Sequence, residues 1–303
     1  MLSKEDWHRK YQEKLDEDPY AIHPIAVMQL VLESLVLDDS KTVQELIERM
    51  KFVRQALCDS PCSTVSTEPS GEMFTRFITR ASTALEDAET IAEARQILID
   101  RGEDFIKHML ELPDKVAKKA LGLFEQTHKH LTILTHSRNA CLLSTFLEAK
   151  SRGHSFYVFV TEGRPSNQGA SMVEEMKQAG VCCSLIPDAA MAYYAEQCNF
   201  IMLGAETVCP NGGIIGVIGT ATMTATAKLL GKPVHVVAEC YRFSDHHFPL
   251  NNRHLIRKHL PNVKGFDCPP VDYSPPENIK RLVSDIGSID PLFAYDTVNH
   301  LFT

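Results

Sequence analysis

Three short apolar runs in this chain each end in polar residues of the kinds that bind anions or move protons. The runs cover residues 131–135, 156–160 and 200–203. The polar residues that follow them are His136, Ser137, Arg138, Arg164, Gln168 and Glu206. A guanidinium group can fork onto a phosphate, and a carboxylate beside a second acid–base group can move protons on a sugar. These residue types therefore suit a site for a sugar phosphate or a nucleotide phosphate.

A fourth polar segment, residues 211–220, is rich in glycine and precedes a helical pattern. It includes Asn211, Gly212, Gly213 and Thr220. Glycines let the backbone approach a ligand closely, and a helix N-terminus offers free amides and a partial positive charge, so the segment could hold a phosphate. The alternative is that the glycines only allow the turns of a loop. The spacing matches neither the P-loop nor the dinucleotide-binding pattern.

Each of the other candidate residues also has a purely structural interpretation. Arg164 could form a surface ion pair with Glu162, and Arg138 could be solvated in the first turn of a helix. Ser137 and Glu206 could be polar residues at a sheet edge, because no base partner for the serine is evident. The convergence of several strand ends on one crevice favours a shared site, because ligands of open α/β sheets bind there.

The elements that must position these residues follow a β–α alternation. We predict strands at 131–135, 156–161, 181–186, 200–203 and 233–238, each short, apolar and rich in branched or aromatic residues. Helical patterns fill the gaps at 139–150, 167–179, 189–197 and 221–230. Gly153, Gly180 and Gly231 follow helices, where left-handed C-cap residues are expected. The alternation predicts an open, twisted, mostly parallel sheet.

The first 127 residues show helical periodicity without strand-like alternation. Helices are predicted at 7–18, 25–37, 43–58, 73–85, 90–110 and 115–127, with a loop over 61–71. Near the C-terminus we predict a strand at 281–285, a turn at Gly287 and a helix over 291–302. The predicted organisation is a helical N-terminal domain, residues 1–127, followed by a Rossmann-like α/β domain, residues 128–303.

Composition narrows the class of protein. The 303 residues carry a net charge of −8, which argues against a nucleic-acid partner, because phosphate-backbone binding needs a basic face. The charged N-terminus and the lack of a long apolar run predict a cytosolic chain with neither a secretory signal nor a membrane segment. The nine cysteines lack framework spacing and are expected to be reduced.

No metal site or cofactor is predicted. The adjacent His246 and His247 would point to opposite sides of an extended segment. Cys58 and Cys62 lack a second pair at zinc-binding spacing. Cys182 and Cys183 fall in a predicted buried strand, where they are expected to pack as small apolar residues.

Several motifs follow one another in order over most of the chain: residues 135–136, 161–165 with 168–169, 204–206, 211–215 with 218–220, 232–233, 238–239, 248–250, 271–273 and 285–287. In combination and in this order, they resemble one superfamily. It contains the alpha, beta and delta regulatory subunits of translation initiation factor 2B and the isomerases of methylthioribose 1-phosphate and ribose 1,5-bisphosphate. The chain length is most similar to that of the alpha-subunit form, and residues 211–215 follow the regulatory-subunit form. Gly163 departs from the usual Ser or Thr at its position.

The resemblance implies a non-catalytic regulatory role. The isomerases of this superfamily use a cysteine and an aspartate at the positions of Ser137 and Glu206, so the acid–base pair is altered. The implied function is a homodimeric subunit of the guanine-nucleotide exchange factor for initiation factor 2. Its implied partners are the beta, delta, gamma and epsilon subunits and the phosphorylated alpha subunit of initiation factor 2, with a retained sugar-phosphate or nucleotide pocket. The alternatives are an active sugar-phosphate isomerase and a metabolite-sensing protein without a role in translation.

Overall fold

The computed structural model describes residues 2–18, 21–80, 88–125, 130–244 and 269–297, and every structural statement below concerns these residues. They form two compact units, one that ends at Glu111 and one that begins at Leu112. The predicted site residues all belong to the second unit. His246 and His247 and the motif at 248–250 lie outside the described residues, as do the ends of the helices predicted at 73–85, 115–127 and 291–302.

The first unit is helical, as the periodicity predicts. Side-chain caps fix where several of its helices begin: Ser3 accepts from the amide of Asp6, and Thr42 accepts from that of Glu45. The apolar faces bury large side chains, including Trp7 and Tyr11. Its helices are α1 (Lys4–Glu17), α2 (His23–Val36), α3 (Val43–Cys58), α4 (Thr67–Thr79) and α5 (Ile91–Leu110).

The predicted loop at 61–71 is wrong in its second half, because α4 begins at Thr67. Small polar residues of this helix are buried, and their hydroxyl groups bond to the helix backbone. Ser70 Oγ, for example, donates to the carbonyl of Ser66 at 2.7 Å. Pro69 is tolerated because the first turn of a helix needs no amide donor. Tertiary burial therefore overrides the turn-like composition.

Helix α6 (Leu112–Ala120) belongs to the second unit. Its buried residues Val116 and Ala120 belong to the core formed with Leu131, Ile133 and Phe146. The helix periodicity predicted here is present, but the compact unit divides before this helix. The domain boundary predicted at residue 127 therefore differs from the division after Glu111.

The second unit contains a seven-stranded sheet in the order β10-β9-β7-β4-β1-β2-β3. All neighbouring strands are parallel except β10, which pairs antiparallel with β9. Its strands are β1 (Leu131–His136), β2 (Phe156–Thr161), β3 (Cys182–Ile186), β4 (Phe200–Gly204), β7 (Val234–Val237), β9 (Arg281–Ser284) and β10 (Gly287–Ile289). The remaining helices are α7 (Ala140–Ser151), α8 (Gln168–Gln178), α9 (Met191–Gln197) and α10 (Thr220–Leu229). The predicted mostly parallel sheet is confirmed.

A second sheet of three strands was not predicted. Its order is β5-β6-β8, with β5 (Thr207–Val208), β6 (Ile214–Val217) and β8 (Val271–Ser274) all paired antiparallel. The glycine-rich segment thus contains a strand, β6, in its centre. Cys183 is buried as predicted, whereas Cys182 is exposed, because β3 is an edge strand whose residues alternate between faces.

Within the described ranges, no helix has both the length and the apolarity needed to cross a membrane. The same residues contain no group of three or more histidine, cysteine, aspartate or glutamate side chains arranged to hold a metal ion.

Candidate functional site

A small pocket lies at the carboxyl ends of β1 and β4, where the sheet topology predicts ligand binding. Its lining residues are His136, Arg138, Asn139, Leu203, Gly204, Glu206, Val217 and Thr220. The enclosed space suits about one water molecule, far less than a sugar bisphosphate would occupy. Four of the predicted site residues thus meet in one place, but a ligand of that size needs the pocket to open.

His136 is held in a fixed orientation at the end of β1. Its Nε2 donates to the carbonyl oxygen of Ile218 at 2.7 Å, and the Thr161 hydroxyl group donates to Nδ1 at 2.6 Å. Burial lowers the pKa of His136 below its usual value, although the Ile218 carbonyl and the Asp188 carboxylate oppose that shift. Gly219 has φ +104° and approaches the imidazole ring. The ring therefore links the end of β2 to the loop before α10, and because both nitrogens are engaged, neither is free to donate a proton to a ligand in the pocket.

Ser137 is fully buried in a left-handed backbone conformation, with φ 56°. Among the described residues its hydroxyl group has no hydrogen-bond partner, and it does not line the pocket. A Cβ atom built on Gly163 would lie 2.5 Å from Ser137 Oγ and 2.6 Å from its Cβ. The close approach of Ser137 therefore requires glycine at position 163. This packing is consistent with the departure of Gly163 from the usual Ser or Thr of the family motif.

Arg138 lines the pocket but is paired with helix α8. Its Nε donates to Glu175 Oε1 at 2.7 Å, and Nη2 donates to Oε2 at 3.1 Å. This fork is the geometry that a guanidinium would also offer to a phosphate. The predicted alternative of a solvated arginine is wrong, because only 13% of the side chain is exposed.

Glu206 belongs to a polar network that the sequence analysis did not anticipate. Its carboxylate accepts from Arg242 Nη1 at 3.3 Å, while Arg242 Nε donates to the fully buried Glu239 at 2.7 Å. The Tyr241 hydroxyl group donates to Glu239 as well. Burial alone would lower the pKa of Arg242, but Glu239 and Glu206 raise it above its usual value. Glu206, the predicted proton-transfer residue, is therefore held in an ion pair with the permanently charged Arg242.

Asn211, Gly212 and Gly213 form a turn between β5 and β6 and do not line the pocket. Asn211 Nδ2 donates to the Tyr273 hydroxyl group at 2.7 Å, and its Oδ1 accepts from the amide of Gly213 at 3.1 Å. Gly212, with φ +83°, lies against the backbone of Pro291, and Gly213 lies against the Tyr273 ring. A side chain at either glycine would collide, so the contacts here match the structural interpretation of these residues.

The N-terminus of α10 is capped by a carboxylate from within the chain. Asp272 of β8 accepts from the amide of Gly219 at 2.7 Å and from that of Ala221 at 3.0 Å. Burial raises the pKa of Asp272 from 3.8 to about 6, although these two amides act to lower it. Thr220 lines the pocket, and its hydroxyl group donates to the carbonyl of Val217 at 2.6 Å. Asp272 thus occupies the place where a phosphate was predicted.

Asp188 is a second carboxylate that binds backbone amides, here in the loop that follows β2. Its carboxylate accepts from the amides of Gly163 and Arg164, at 2.9 and 2.7 Å. The Arg164 side chain is 62% exposed and pairs with Glu162 at 3.0 Å, which is the surface ion pair given as its alternative. Gln168 begins α8 and is exposed. Neither Arg164 nor Gln168 lines the pocket.

Four polar residues at or beside this crevice escaped the sequence analysis: Asn139, Asp188, Arg242 and Asp272. Asn139 carries a local signal, because it precedes a helical pattern and its side chain accepts from the amide of Leu142. Asp188 and Asp272 bind amides far away along the chain, and Arg242 reaches the distant Glu206 as well as Glu239, three residues before it. No local pattern indicates which backbone amides or carboxylates they will meet.

Comparison with known proteins identifies the class. The sequence model of the Initiation factor 2 subunit family matches residues 17–291. The chain belongs to this family.

Particular relatives refine that result. Translation initiation factor eIF2B subunit alpha of Caenorhabditis elegans is 33% identical over 288 residues, 93% of each chain. Ribose 1,5-bisphosphate isomerase of Archaeoglobus fulgidus is 28% identical over 264 residues, 82% of this chain and 78% of the relative. A solved structure of the tetrameric eIF2B-beta2-delta2 complex from C. thermophilum superposes with TM-score 0.78 at 17% identity, over 99% of this chain and 96% of that one. The predicted resemblance and fold class are confirmed.

Proposed function

We propose that this chain is a regulatory, non-catalytic subunit of the guanine-nucleotide exchange factor for translation initiation factor 2. The proposal rests on the 33% sequence identity to an eIF2B alpha subunit over 93% of both chains. The shared fold is consistent with it. In this role the chain acts in the cytosol as a homodimer that helps to assemble the complex, and it helps to sense the phosphorylated alpha subunit of initiation factor 2. The exchange chemistry belongs to other subunits.

Affinity capture of the tagged full-length chain from its native cells tests this role. We expect quantitative mass spectrometry to recover the beta, delta, gamma and epsilon subunits well above an untagged control. Recovery without any initiation-factor subunit would contradict the proposal and favour a metabolite-binding protein.

The alternative function is a sugar-phosphate isomerase, which the similarity to ribose 1,5-bisphosphate isomerase of A. fulgidus favours. Two structural observations argue against this alternative. The Ser137 hydroxyl group is buried outside the pocket, and Glu206 is paired with Arg242. We expect purified protein to convert ribose 1,5-bisphosphate no faster than its Ser137→Ala variant. Turnover by the unmodified chain that Ser137→Ala abolishes would establish the isomerase instead.

A retained pocket for a sugar phosphate or a nucleotide phosphate remains part of the proposal. Arg138 is the arginine that lines the pocket, whereas Arg164 is exposed and paired with Glu162. Isothermal titration with ribose 1,5-bisphosphate should therefore show weaker binding for Arg138→Gln than for the unmodified chain. Arg164→Ala also removes one arginine and is the matched control. Equal affinities for both variants and the unmodified chain would remove Arg138 from the ligand site.

A further inference from the structure

Around the crevice, carboxylates of the chain itself hold the groups that would otherwise bind an anion. They accept hydrogen bonds from two guanidinium groups and from backbone amides at two loops. The carboxylates are those of Glu175, Asp188, Glu206 and Asp272. A phosphate binds to the same two kinds of donor. A phosphorylated ligand can therefore use these donors only by replacing a carboxylate.

Glu206 makes the longest of these contacts. Its Oε2 lies 3.3 Å from Arg242 Nη1, whereas the closest contact of each of the other three carboxylates is 2.7 Å. A distance of 3.3 Å is beyond the usual range of a charge-assisted hydrogen bond. The Glu206 side chain is 28% exposed, so water can solvate its carboxylate as soon as it leaves the guanidinium group. Among these carboxylates, Glu206 is therefore the one that a ligand displaces most easily.

Arg242 keeps a second partner when Glu206 leaves. Its Nε donates to Glu239 at 2.7 Å, and Glu239 is fully buried and also accepts from the Tyr241 hydroxyl group. A buried charge without a partner is costly, and Glu239 prevents that cost here. Within the described residues, the hydrogen bonds of Arg242 use Nε and Nη1. Displacement of Glu206 thus frees Nη1 from a carboxylate while Nε stays paired.

The Glu206 side chain is in contact with both the pocket and Arg242. Glu206 lines the pocket, whereas Arg242 is only 5% exposed and does not line it. The pocket as it stands has room for about one water molecule. Movement of the Glu206 side chain would therefore enlarge the pocket and uncover the guanidinium group behind it.

We infer that Arg242 is a phosphate-binding residue of this pocket and that Glu206 is an internal anion, which occupies Arg242 until the phosphate group of a ligand replaces it. The Glu206 carboxylate then moves toward solvent, and the phosphate accepts from Arg242 Nη1. The inference rests on the phosphate pocket in the proposed function. It adds the arginine that binds the anion and the carboxylate that competes with the ligand for it.

Isothermal titration of the full-length chain with ribose 1,5-bisphosphate tests the competition. Glu206→Gln removes the competing charge and keeps the length of the side chain, so it should bind at least roughly 10-fold more tightly than the unmodified chain. Glu162→Gln is the matched control, because Glu162 also pairs with an arginine, Arg164, but neither residue lines the pocket. This control should bind as the unmodified chain does.

Arg242→Lys separates displacement from simple repulsion between Glu206 and the ligand. Lysine keeps a cation beside Glu239 but lacks the Nη nitrogens that reach Glu206. We therefore expect the gain in affinity from Glu206→Gln to be lost when Arg242→Lys is also present. Far-UV circular dichroism and urea unfolding establish that each variant is folded before its titration.

The outcomes separate this inference from the proposed function. If the unmodified chain binds the ligand and Glu206→Gln binds it no more tightly than Glu162→Gln does, the inference is overturned and the pocket remains. An equal gain with and without Arg242→Lys overturns Arg242 as a phosphate-binding residue, because loss of repulsion then explains the gain. Absence of binding by every variant overturns both the pocket and the inference, while affinity capture still tests membership of the complex.

Discussion

Replacing Asp272 with asparagine should change how the stability of the second unit depends on pH. The carboxyl group has a pKa of about 6 in the folded chain, against 3.8 for an ordinary aspartate, because burial disfavours its charge more than the amides of Gly219 and Ala221 favour it. Between these two values the folded state retains a proton that the unfolded chain has lost. The contribution of this group to stability is therefore present below pH 4 and falls as the pH rises to 6.

The size of the effect follows from the shift. A difference of about two pKa units corresponds to roughly 3 kcal/mol of unfolding free energy. The unmodified chain should lose this amount relative to Asp272→Asn between pH 4 and pH 7. Other titrating groups are common to both proteins, so the difference between their stabilities isolates Asp272.

Urea unfolding followed by far-UV circular dichroism at a series of pH values measures that difference. Glu277→Gln, which removes an exposed carboxyl group from the same unit, controls for the loss of one charge. An unfolding free energy of the unmodified chain that rises with pH relative to that of Asp272→Asn would refute the reasoning. It would mean that the two amide hydrogen bonds outweigh burial and hold the pKa below its usual value.

Two further substitutions test the packing and the ion-pair network around the crevice. Gly163→Ala should lower the free energy of unfolding in urea by more than about 2 kcal/mol, because the new methyl group would collide with Ser137 and the backbone at residue 163 has a positive φ. An unchanged urea midpoint of unfolding would contradict this contact. Arg242→Met should cost about 3–5 kcal/mol, because Glu239 is left buried without its cation, and Glu239→Gln in the same chain should recover part of the loss. No recovery in the double variant would show that charge is not the cause.

The sequence predicts the βαβ unit well because its signals are local. Apolar runs and helical periodicity indicate the strands and crossovers of the seven-stranded sheet, and Gly153, Gly180 and Gly231 have the positive φ expected after a helix. The family motifs add the fold class, and the comparisons confirm it. Each of these features depends on residues that are near neighbours along the chain.

The second sheet and the electrostatics of the site depend instead on distant pairs. Strand β6 becomes recognisable only when it pairs with β8, more than fifty residues later. The sequence predicts a phosphate at the N-terminus of α10, but the Asp272 carboxylate accepts from the amides of Gly219 and Ala221 there. Beside the predicted phosphate ligand Arg164, the Asp188 carboxylate accepts from the amides of Gly163 and Arg164. The sequence alone therefore determined the order of elements and the candidate residues. Only the tertiary structure decided which groups meet, because hydrogen bonding and burial depend on distance in space.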